Sequence, residues 1–224
     1  MDYSEYVAYH MRGDAGVEER MIASLCRRYA LSPWDAFRLV YYYATTYHIP
    51  SALDMLHGER EMSRLKFRTD RRYVRCNGAY ARMLSGLTRD KLERLSAVGS
   101  TAEAYGEVRG WYFFGRYAAF LFLEAYCNVF RPAWTDDVRL GWEPDENYTK
   151  GAVLVAGSED RDVLDGFLAD VRRDTGDNAF SIETSLCAVE KMAKGTRWDG
   201  YYAERMLADA KGTRWERPIY SLAG

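Results

Sequence analysis

The sequence predicts an all-α protein. Apolar residues recur every three or four positions through much of the chain, which is the period of a helix. Helix-capping residues stand where several such segments begin, as at Ser32-Pro33, Thr88 and Ser100. Nothing in the sequence indicates a substantial sheet. We therefore expect about ten helices in one compact domain spanning residues 1–224.

Composition limits the classes of protein to consider. The chain has 224 residues, of which 48% are hydrophobic and 15% aromatic, enough for a real core. A net charge of −2 argues against a generally basic nucleic-acid coat, although a local basic patch remains possible. With no apolar run of about 18 residues and no signal peptide, we expect a soluble, cytosolic protein without a membrane partner.

The cysteines and histidines predict neither a metal nor a disulfide framework. No C-x-x-C pair occurs, and the three histidines lack metal-ligand spacing. There is also no phosphate-binding or dinucleotide-binding glycine motif. We therefore expect no metal and no cofactor. The widely spaced cysteines are Cys26, Cys76, Cys127 and Cys187.

The first 58 residues predict several helices. Residues 2–30 form one or two, with Val17, Met21 and Leu25 at helical spacing. Ser32 caps the next helix, which ends at Pro50, and Ser51 begins a short one.

A basic cluster follows in residues 59–82. Basic side chains interleaved with aromatic ones suit a surface that contacts the phosphate backbone of a nucleic acid. The alternative is a solvated charged face. The cluster comprises Arg60, Arg64, Lys66, Arg68, Arg71, Arg72, Arg75 and Arg82.

The segment Glu107–Tyr126 is the most apolar part of the chain. Its second half is hydrophobic on almost every helical face, which predicts a buried helix over residues 117–126. Arg116 follows Gly115 at the expected helix start. An arginine beside free N–H groups makes an anion site, with phosphate the obvious candidate. The alternative is that Arg116 pairs with a carboxylate and closes the core.

Residues 132–157 predict a long loop and then a short apolar run. A loop of this length is usually functional or disordered, and its tryptophans argue against disorder. Its reactive candidates include Asp137 and Lys150. The run at 151–157 suggests a strand or a buried turn.

The C-terminal third predicts amphipathic helices. One begins at Ser158 and ends at Gly176, and another is capped by Ser181. On the latter, Glu183, Cys187 and Lys191 share one face, as a solvated edge or, if buried, as a site. We expect the tail at 216–224 to be frayed.

Several motifs resemble known DNA-modifying proteins. The segment F-F-G-R-Y-A-A-F resembles the turn of a helix–hairpin–helix in DNA glycosylases, with Phe113 where the first glycine is usual. In order along the chain, five motifs resemble the bacteriophage α-glutamyl/putrescinyl thymine pyrophosphorylases, which include amino acid:DNA transferases. They are K-F-R-T-D-R-R-Y (66–73), G-W-Y-F-F-G-R-Y-A-A (110–119), N-Y-T-K-G-A (147–152), I-E-T-S-L-C-A-V-E-K (182–191) and G-Y-Y-A-E-R (200–205).

The resemblance implies a helical relative of DNA glycosylases in the cytoplasm of a phage-infected bacterium. Its substrate would be phosphorylated or pyrophosphorylated 5-hydroxymethyluracil in double-stranded DNA. An amine, such as an amino acid or a polyamine, would replace the phosphate group. No metal or cofactor would be required.

This chemistry requires particular side chains. The base must be flipped out and held between aromatic walls, and the departing phosphate must be stabilised by cations. The ammonium nucleophile must lose a proton to a base, for which Glu183 and Asp137 are the candidates. Lys191 and Lys150 are the other proposed catalytic residues. Proposed substrate and phosphate contacts are Arg71, Arg72, Arg116, Trp111, Tyr148, Tyr202 and Arg205, and proposed DNA contacts are Lys66, Arg68 and Arg75.

Three alternatives remain open. A base-excision enzyme would use Asp137 to activate water and would leave abasic sites. A non-enzymatic phage DNA-binding or host-interaction protein would have scattered, solvated charges, and a helical domain of another role is the third. The transferase hypothesis requires at least three of four residues to meet in one pocket with an aromatic wall. They are Arg116, Lys150, Glu183 and Lys191.

Overall fold

The chain is all-α, as the sequence predicts. A computed structural model describes residues 1–68, 71, 74–75, 78–134 and 140–223. These residues form thirteen α-helices and no β-strand, and none of their helices is long and apolar enough to cross a membrane. The helices are α1 (Tyr3–Arg12), α2 (Val17–Arg28), α3 (Pro33–Thr46), α4 (Ile49–Leu56), α5 (Ala79–Ser85), α6 (Arg89–Ala97), α7 (Thr101–Arg109), α8 (Arg116–Phe130), α9 (Asn147–Ala156), α10 (Arg161–Thr175), α11 (Ala179–Ala193), α12 (Tyr201–Ala210) and α13 (Glu216–Ala223).

Backbone contacts divide the chain into two compact units. Unit 1 comprises Met1–Val17 and Asp136–Glu204, and unit 2 comprises Glu18–Thr135 and Arg205–Gly224. Each unit therefore draws on two separate stretches of sequence. The single domain over residues 1–224 stays a prediction.

Unit 1 is built around the pair α9 and α11. These helices approach so closely that a Cβ atom on Gly151 would lie 2.0 Å from the carbonyl oxygen of Leu186. Glycine is therefore required there. The prediction of a strand or buried turn at 151–157 is wrong, because α9 continues to Ala156. The periodicity of a short, continuous apolar run cannot distinguish a buried helix from a strand.

The other helices of unit 1 follow the predicted periodicity more closely. Leu164, Phe167 and Val171 form the buried stripe of α10. Helix α11 begins before Ser181, because the Asn178 side chain accepts the backbone N–H groups that follow it. Asparagine caps a helix as well as serine does, so the prediction placed the cap three residues late.

Unit 2 has an aromatic core around α3 and α8. Phe37 of α3 makes edge contacts with Trp111, Phe122 and Tyr126. In α8 every residue from 118 to 126 is buried, which confirms the predicted buried helix, except that Tyr117, included in the predicted range, is 44% exposed. Edge-to-face rings and apolar area together stabilise such a core.

Two ends in unit 2 differ from prediction. Helix α4 begins at Ile49 and is capped by His48, whose Nδ1 accepts the Ser51 N–H at 3.2 Å, whereas Ser51 was the expected first residue. The tail, expected to be frayed, forms α13 with Ile219 fully buried. The apolar face of α13 is too short to be recognised in the sequence as a helical periodicity.

Candidate functional site

Unit 2 buries an unusual set of charged groups, which we call the carboxylate cluster. Its members come from α2, the end of α3, the start of α4, the segment before residue 69, and α12. Buried charges are rare in proteins and are usually paired, so such a set needs an explanation. The cluster consists of Glu18, Glu19, Tyr43, Tyr47, His48, Arg68, Arg205 and Asp209.

Two adjacent carboxylates lie at its centre. Glu18 and Glu19 stand in the first turn of α2, where the helix dipole favours negative charge, yet each is only 2% exposed. The Tyr43 hydroxyl lies 3.0 Å from Glu18 Oε2 and also contacts Glu19 Oε1. A hydroxyl donates only one hydrogen, so it can serve one carboxylate at a time.

The cations of the cluster compensate Glu18. Arg68 donates to Glu18 through both terminal nitrogens, at 2.7 and 2.6 Å, and also contacts Asp209. Arg205 Nη2 lies 3.3 Å from Glu18 Oε1. The forked pair is the strong geometry for an arginine and a carboxylate. Glu18 is therefore the forked ion-pair partner of Arg68.

Glu19 has a different environment. Its Oε2 is buried and has no hydrogen-bond partner among the residues that the structure describes. Burial and the neighbouring charge of Glu18 raise the pKa of Glu19 to about 7, against the opposing hydrogen bond from Tyr43. A carboxylate with a pKa near neutrality can both accept and release a proton under physiological conditions. Glu19 is the residue of the cluster best suited to acid–base chemistry.

Tyr47 holds an unusual backbone conformation beside these groups. Its φ of 52° lies in the left-handed region, which costs a residue with a side chain about 1 kcal/mol or more. The guanidinium carbons of Arg68 and Arg205 lie 4.7 and 5.3 Å from the centre of its ring. The ring of Tyr117, which is 44% exposed, contacts it edge-on at 6.0 Å. The ring of Tyr47 thus lies between the cluster and an exposed aromatic side chain.

His48 is neutral in this setting. Burial lowers its pKa to about 4, although Asp209 acts in the opposite direction. Because Nδ1 accepts the backbone N–H of Ser51, the hydrogen of the neutral ring is on Nε2. That atom lies 3.7 Å from Asp209 Oδ1. His48 is thus a second buried group whose protonation is governed by the cluster.

Two members of the carboxylate cluster were predicted from the sequence as functional residues. Arg68 was predicted as a DNA contact and Arg205 as a substrate contact, and both lie in it. The carboxylates were not singled out. The adjacent pair Glu18-Glu19 on the face that carries Met21 and Leu25 was the available signal, but acidic residues are common in any first helical turn.

The remaining basic residues of 59–82 differ in exposure. Lys66 and Arg75 are exposed, and Arg75 lies 5.9 Å from the ring centre of Phe67. Arg71 is 1% exposed, and its Nε donates to the carbonyl oxygen of Thr45 at 3.3 Å. That position is unsuited to a direct contact with a DNA backbone. Arg72 lies outside the described residues, and DNA contact by this segment stays a prediction.

Two further predicted residues of unit 2 lie in or beside its core. Trp111 is 6% exposed, and its Nε1 donates to Glu107 at 2.9 Å. Arg116 is the first residue of α8, as predicted, and its guanidinium lies 4.5 Å from the ring centre of Phe120. Trp111 is thus a core residue, so it does not supply an open aromatic wall.

The structure shows separate contacts for three predicted catalytic residues of unit 1, and their convergence on one pocket stays a prediction. Glu183 is 6% exposed and accepts a weak bond from the Cys187 thiol at 3.7 Å. Lys191 lies eight residues further along α11, a rise of about 12 Å. Lys150 donates to the Asp145 carbonyl oxygen and lines a cavity whose described lining includes neither Glu183 nor Lys191.

Other predicted residues of unit 1 have structural contacts. The hydroxyl of Tyr148 is placed against the carbonyl oxygens of Leu140 and Gly141, at 3.0 and 2.8 Å. Tyr202 is buried, and its backbone N–H donates to Asp14. Asp137 lies outside the described residues. Because Arg116 belongs to unit 2, its convergence with Lys150, Glu183 and Lys191 stays a prediction.

Comparison with known proteins does not assign the chain to a family. No protein-family model matches the chain, and no curated protein sequence matches it. The case for a function therefore depends on the resemblance of the motifs and on the geometry of the carboxylate cluster.

Proposed function

We propose that the chain is a phage DNA-modifying transferase. Its substrate is double-stranded DNA that carries phosphorylated 5-hydroxymethyluracil, and its second substrate is an amine such as an amino acid or a polyamine. The amine nitrogen forms a bond to the 5-methylene carbon, the carbon–oxygen bond to the phosphate breaks, and the phosphate leaves with the electron pair. The ammonium group of the amine must first lose a proton.

The observation that carries this proposal is the environment of Glu19. An amine resembling lysine has a pKa of about 10.4, so it needs a base at neutral pH. A buried carboxylate with a pKa of about 7 is a suitable acceptor. We assign the role of base first to Glu19, and Glu183 and Asp137 remain the candidates that the motifs suggest.

The neighbours of Glu19 suit the other requirements of the reaction. Arg205 is 21% exposed, and its contacts with Glu18 and Tyr47 are long, at 3.3 and 3.4 Å. Such a guanidinium can turn towards a phosphate and stabilise its departure. The exposed Tyr117, which contacts the buried ring of Tyr47, offers a ring face on which a flipped base can stack.

The decisive experiment uses a DNA duplex containing 5-phosphomethyl-uracil. The purified protein is incubated with it and with single candidate amines, and the nucleosides are analysed by mass spectrometry. We expect one amine to yield a nucleoside whose phosphate has been replaced. Abasic sites in place of this product would identify a base-excision enzyme, and an unchanged nucleoside with every amine contradicts the proposal.

Two matched glutamine variants then test the base. Glu19→Gln should slow the transfer by about 10²- to 10⁴-fold at pH 8, the range for loss of a general base. Glu183→Gln, which also replaces a buried glutamate, should retain most of the parent rate. The opposite pattern would move the base to Glu183. Circular dichroism of both variants checks that their folds are intact.

A further inference from the structure

Unit 1 contains a half-open cavity that the proposed reaction does not use. Its volume is about 520 Å³, and α9, α10 and α11 contribute most of its lining. Small-molecule sites have volumes of about 300–1,000 Å³ and mainly apolar walls. Trp142, Val153 and Leu164 provide such walls here, and the Trp142 indole is fixed by a 2.7 Å hydrogen bond to Asp165.

One buried polar group of the cavity lining lacks a hydrogen-bond partner among the described residues. Thr149 is only 6% exposed, and its hydroxyl oxygen is buried without a hydrogen bond to any residue that the structure describes. A buried hydroxyl without a hydrogen bond is unfavourable, so a bound polar group that hydrogen-bonds to it is favoured. Glu190, 2% exposed, also lines the cavity, and its charge is compensated by Lys194.

The lining of the cavity carries a net positive charge. Its charged residues are Lys150, Arg161, Lys194, Glu159 and Glu190, which leaves one positive charge in excess. Arg161 is exposed, and within the described part of the chain it has no hydrogen bond or ion pair. Lys150 uses one of its three N–H donors on the Asp145 carbonyl oxygen.

We propose that this cavity binds a small organic carboxylate with an apolar body. The body packs against Trp142 and Leu164, and the carboxylate lies beside Arg161 and Lys150. A single negative charge neutralises the excess charge of the lining, and a polar substituent on the body can reach Thr149. The inference does not rest on the groups assigned to the DNA reaction above, because Glu19, Arg205 and Tyr117 belong to unit 2 and the cavity lining belongs to unit 1.

A pair of nearly isosteric probes separates charge from shape. 1-Naphthaleneacetate and its neutral amide, 1-naphthaleneacetamide, are titrated into the full chain by calorimetry. In NMR spectra, the indole N–H resonance of Trp142 shows whether a probe binds in this cavity. The resonance is assigned by its loss in the Trp142→Phe variant. We expect the carboxylate to bind at least about threefold more tightly than the amide, as for one exposed ion pair.

Charge variants on one helix complete the test. Arg161→Gln should weaken carboxylate binding by about three- to tenfold and leave amide binding unchanged. Arg173→Gln is the control, because Arg173 is exposed near the other end of α10 and does not line the cavity. Ala193→Trp, in the cavity lining, should abolish binding of both probes.

Three results would overturn the inference. They are no binding of either probe at millimolar concentration, equal affinities for carboxylate and amide, and equal effects of Arg161→Gln and Arg173→Gln. None of them bears on amine transfer to DNA, which is measured separately.

Discussion

The two units of this chain use their buried polar groups in different ways. Unit 2 places acidic and basic side chains against one another, as in the fork between Glu18 and Arg68. Unit 1 brings two helix backbones together at Gly151 and leaves polar side chains around a half-open cavity. The carboxylate cluster of unit 2 depends on charge balance, whereas the packing of α9 against α11 in unit 1 depends on shape.

This difference determines what each unit can tolerate. Removing charges from water costs free energy that a good ion pair only partly returns, so a buried network is weak evidence for stability. A buried network of charges is better explained if its members form part of a functional site. Close backbone contact in unit 1 gives packing without any charge, but it excludes every side chain at one position. The effect of a substitution on the free energy of unfolding should therefore depend on pH in unit 2 and on side-chain size in unit 1.

The largest expected effect is in unit 2. Arg68→Ala should lower the free energy of unfolding by about 3–5 kcal/mol, because it leaves the buried Glu18 carboxylate beside Glu19 without its main partner. Urea unfolding at pH 7 measures this change. Arg64→Ala is the control from the same segment, since Arg64 is 68% exposed and its surface ion pairs should contribute little.

A double variant sharpens the result. Adding Glu18→Gln to Arg68→Ala should recover a large part of the loss, because it removes the uncompensated charge. If Arg68→Ala and Arg64→Ala have equal effects, or if the double variant is simply the sum of two losses, charge balance does not govern unit 2.

The next effect tests shape in unit 1. Gly151→Ala should destabilise the protein by about 3 kcal/mol, since the new Cβ atom would meet the Leu186 carbonyl oxygen and the helices would have to separate. Gly166→Ala is matched to it, because Gly166 lies inside α10 with no atom within 4 Å of the added Cβ. That variant should be more stable than the parent by up to about 1 kcal/mol. Thermal unfolding that shows the same sign for both glycines would contradict this account.

The features that depend on neighbouring residues in the sequence were predicted correctly. The caps at Thr88 and Ser100 and the burial of α8 follow from neighbouring residues, and the structure has all three. Gly151 was placed in a strand or turn because the feature that makes it necessary, Leu186, is distant in sequence and is met only after α9 and α11 pack.

The candidate site was less predictable for the same reason. Arg68 and Arg205 have the side-chain type that suggests function, so both were selected from the sequence. Glu18 and Glu19 acquire their properties from partners that come from α3, α12 and the segment before residue 69. A raised pKa is a property of that assembled environment, and no local spacing encodes it.

The smallest effect is a pair of opposing pH dependences within unit 2. The pKa of Glu19 is raised from 4.5 to about 7, so the folded state binds more protons and stability falls as pH rises through this window. The pKa of His48 is lowered from 6.5 to about 4, so the folded state binds fewer protons and stability falls as pH decreases from 6.5 to 4. In the parent the two slopes offset each other where the windows overlap.

Single variants should separate these slopes. Glu19→Gln leaves only the His48 dependence, so its stability should rise from pH 4.5 to 6.5 by up to about 1 kcal/mol per pH unit. His48→Asn keeps a side chain that can cap α4, and its stability should fall with pH from 4.5 to 7. Urea unfolding at half-unit pH intervals measures both, and the double variant should be flatter than either. Two single variants that keep the parent profile would show that neither group changes its pKa on folding, and the role of base assigned to Glu19 would then lose its physical ground.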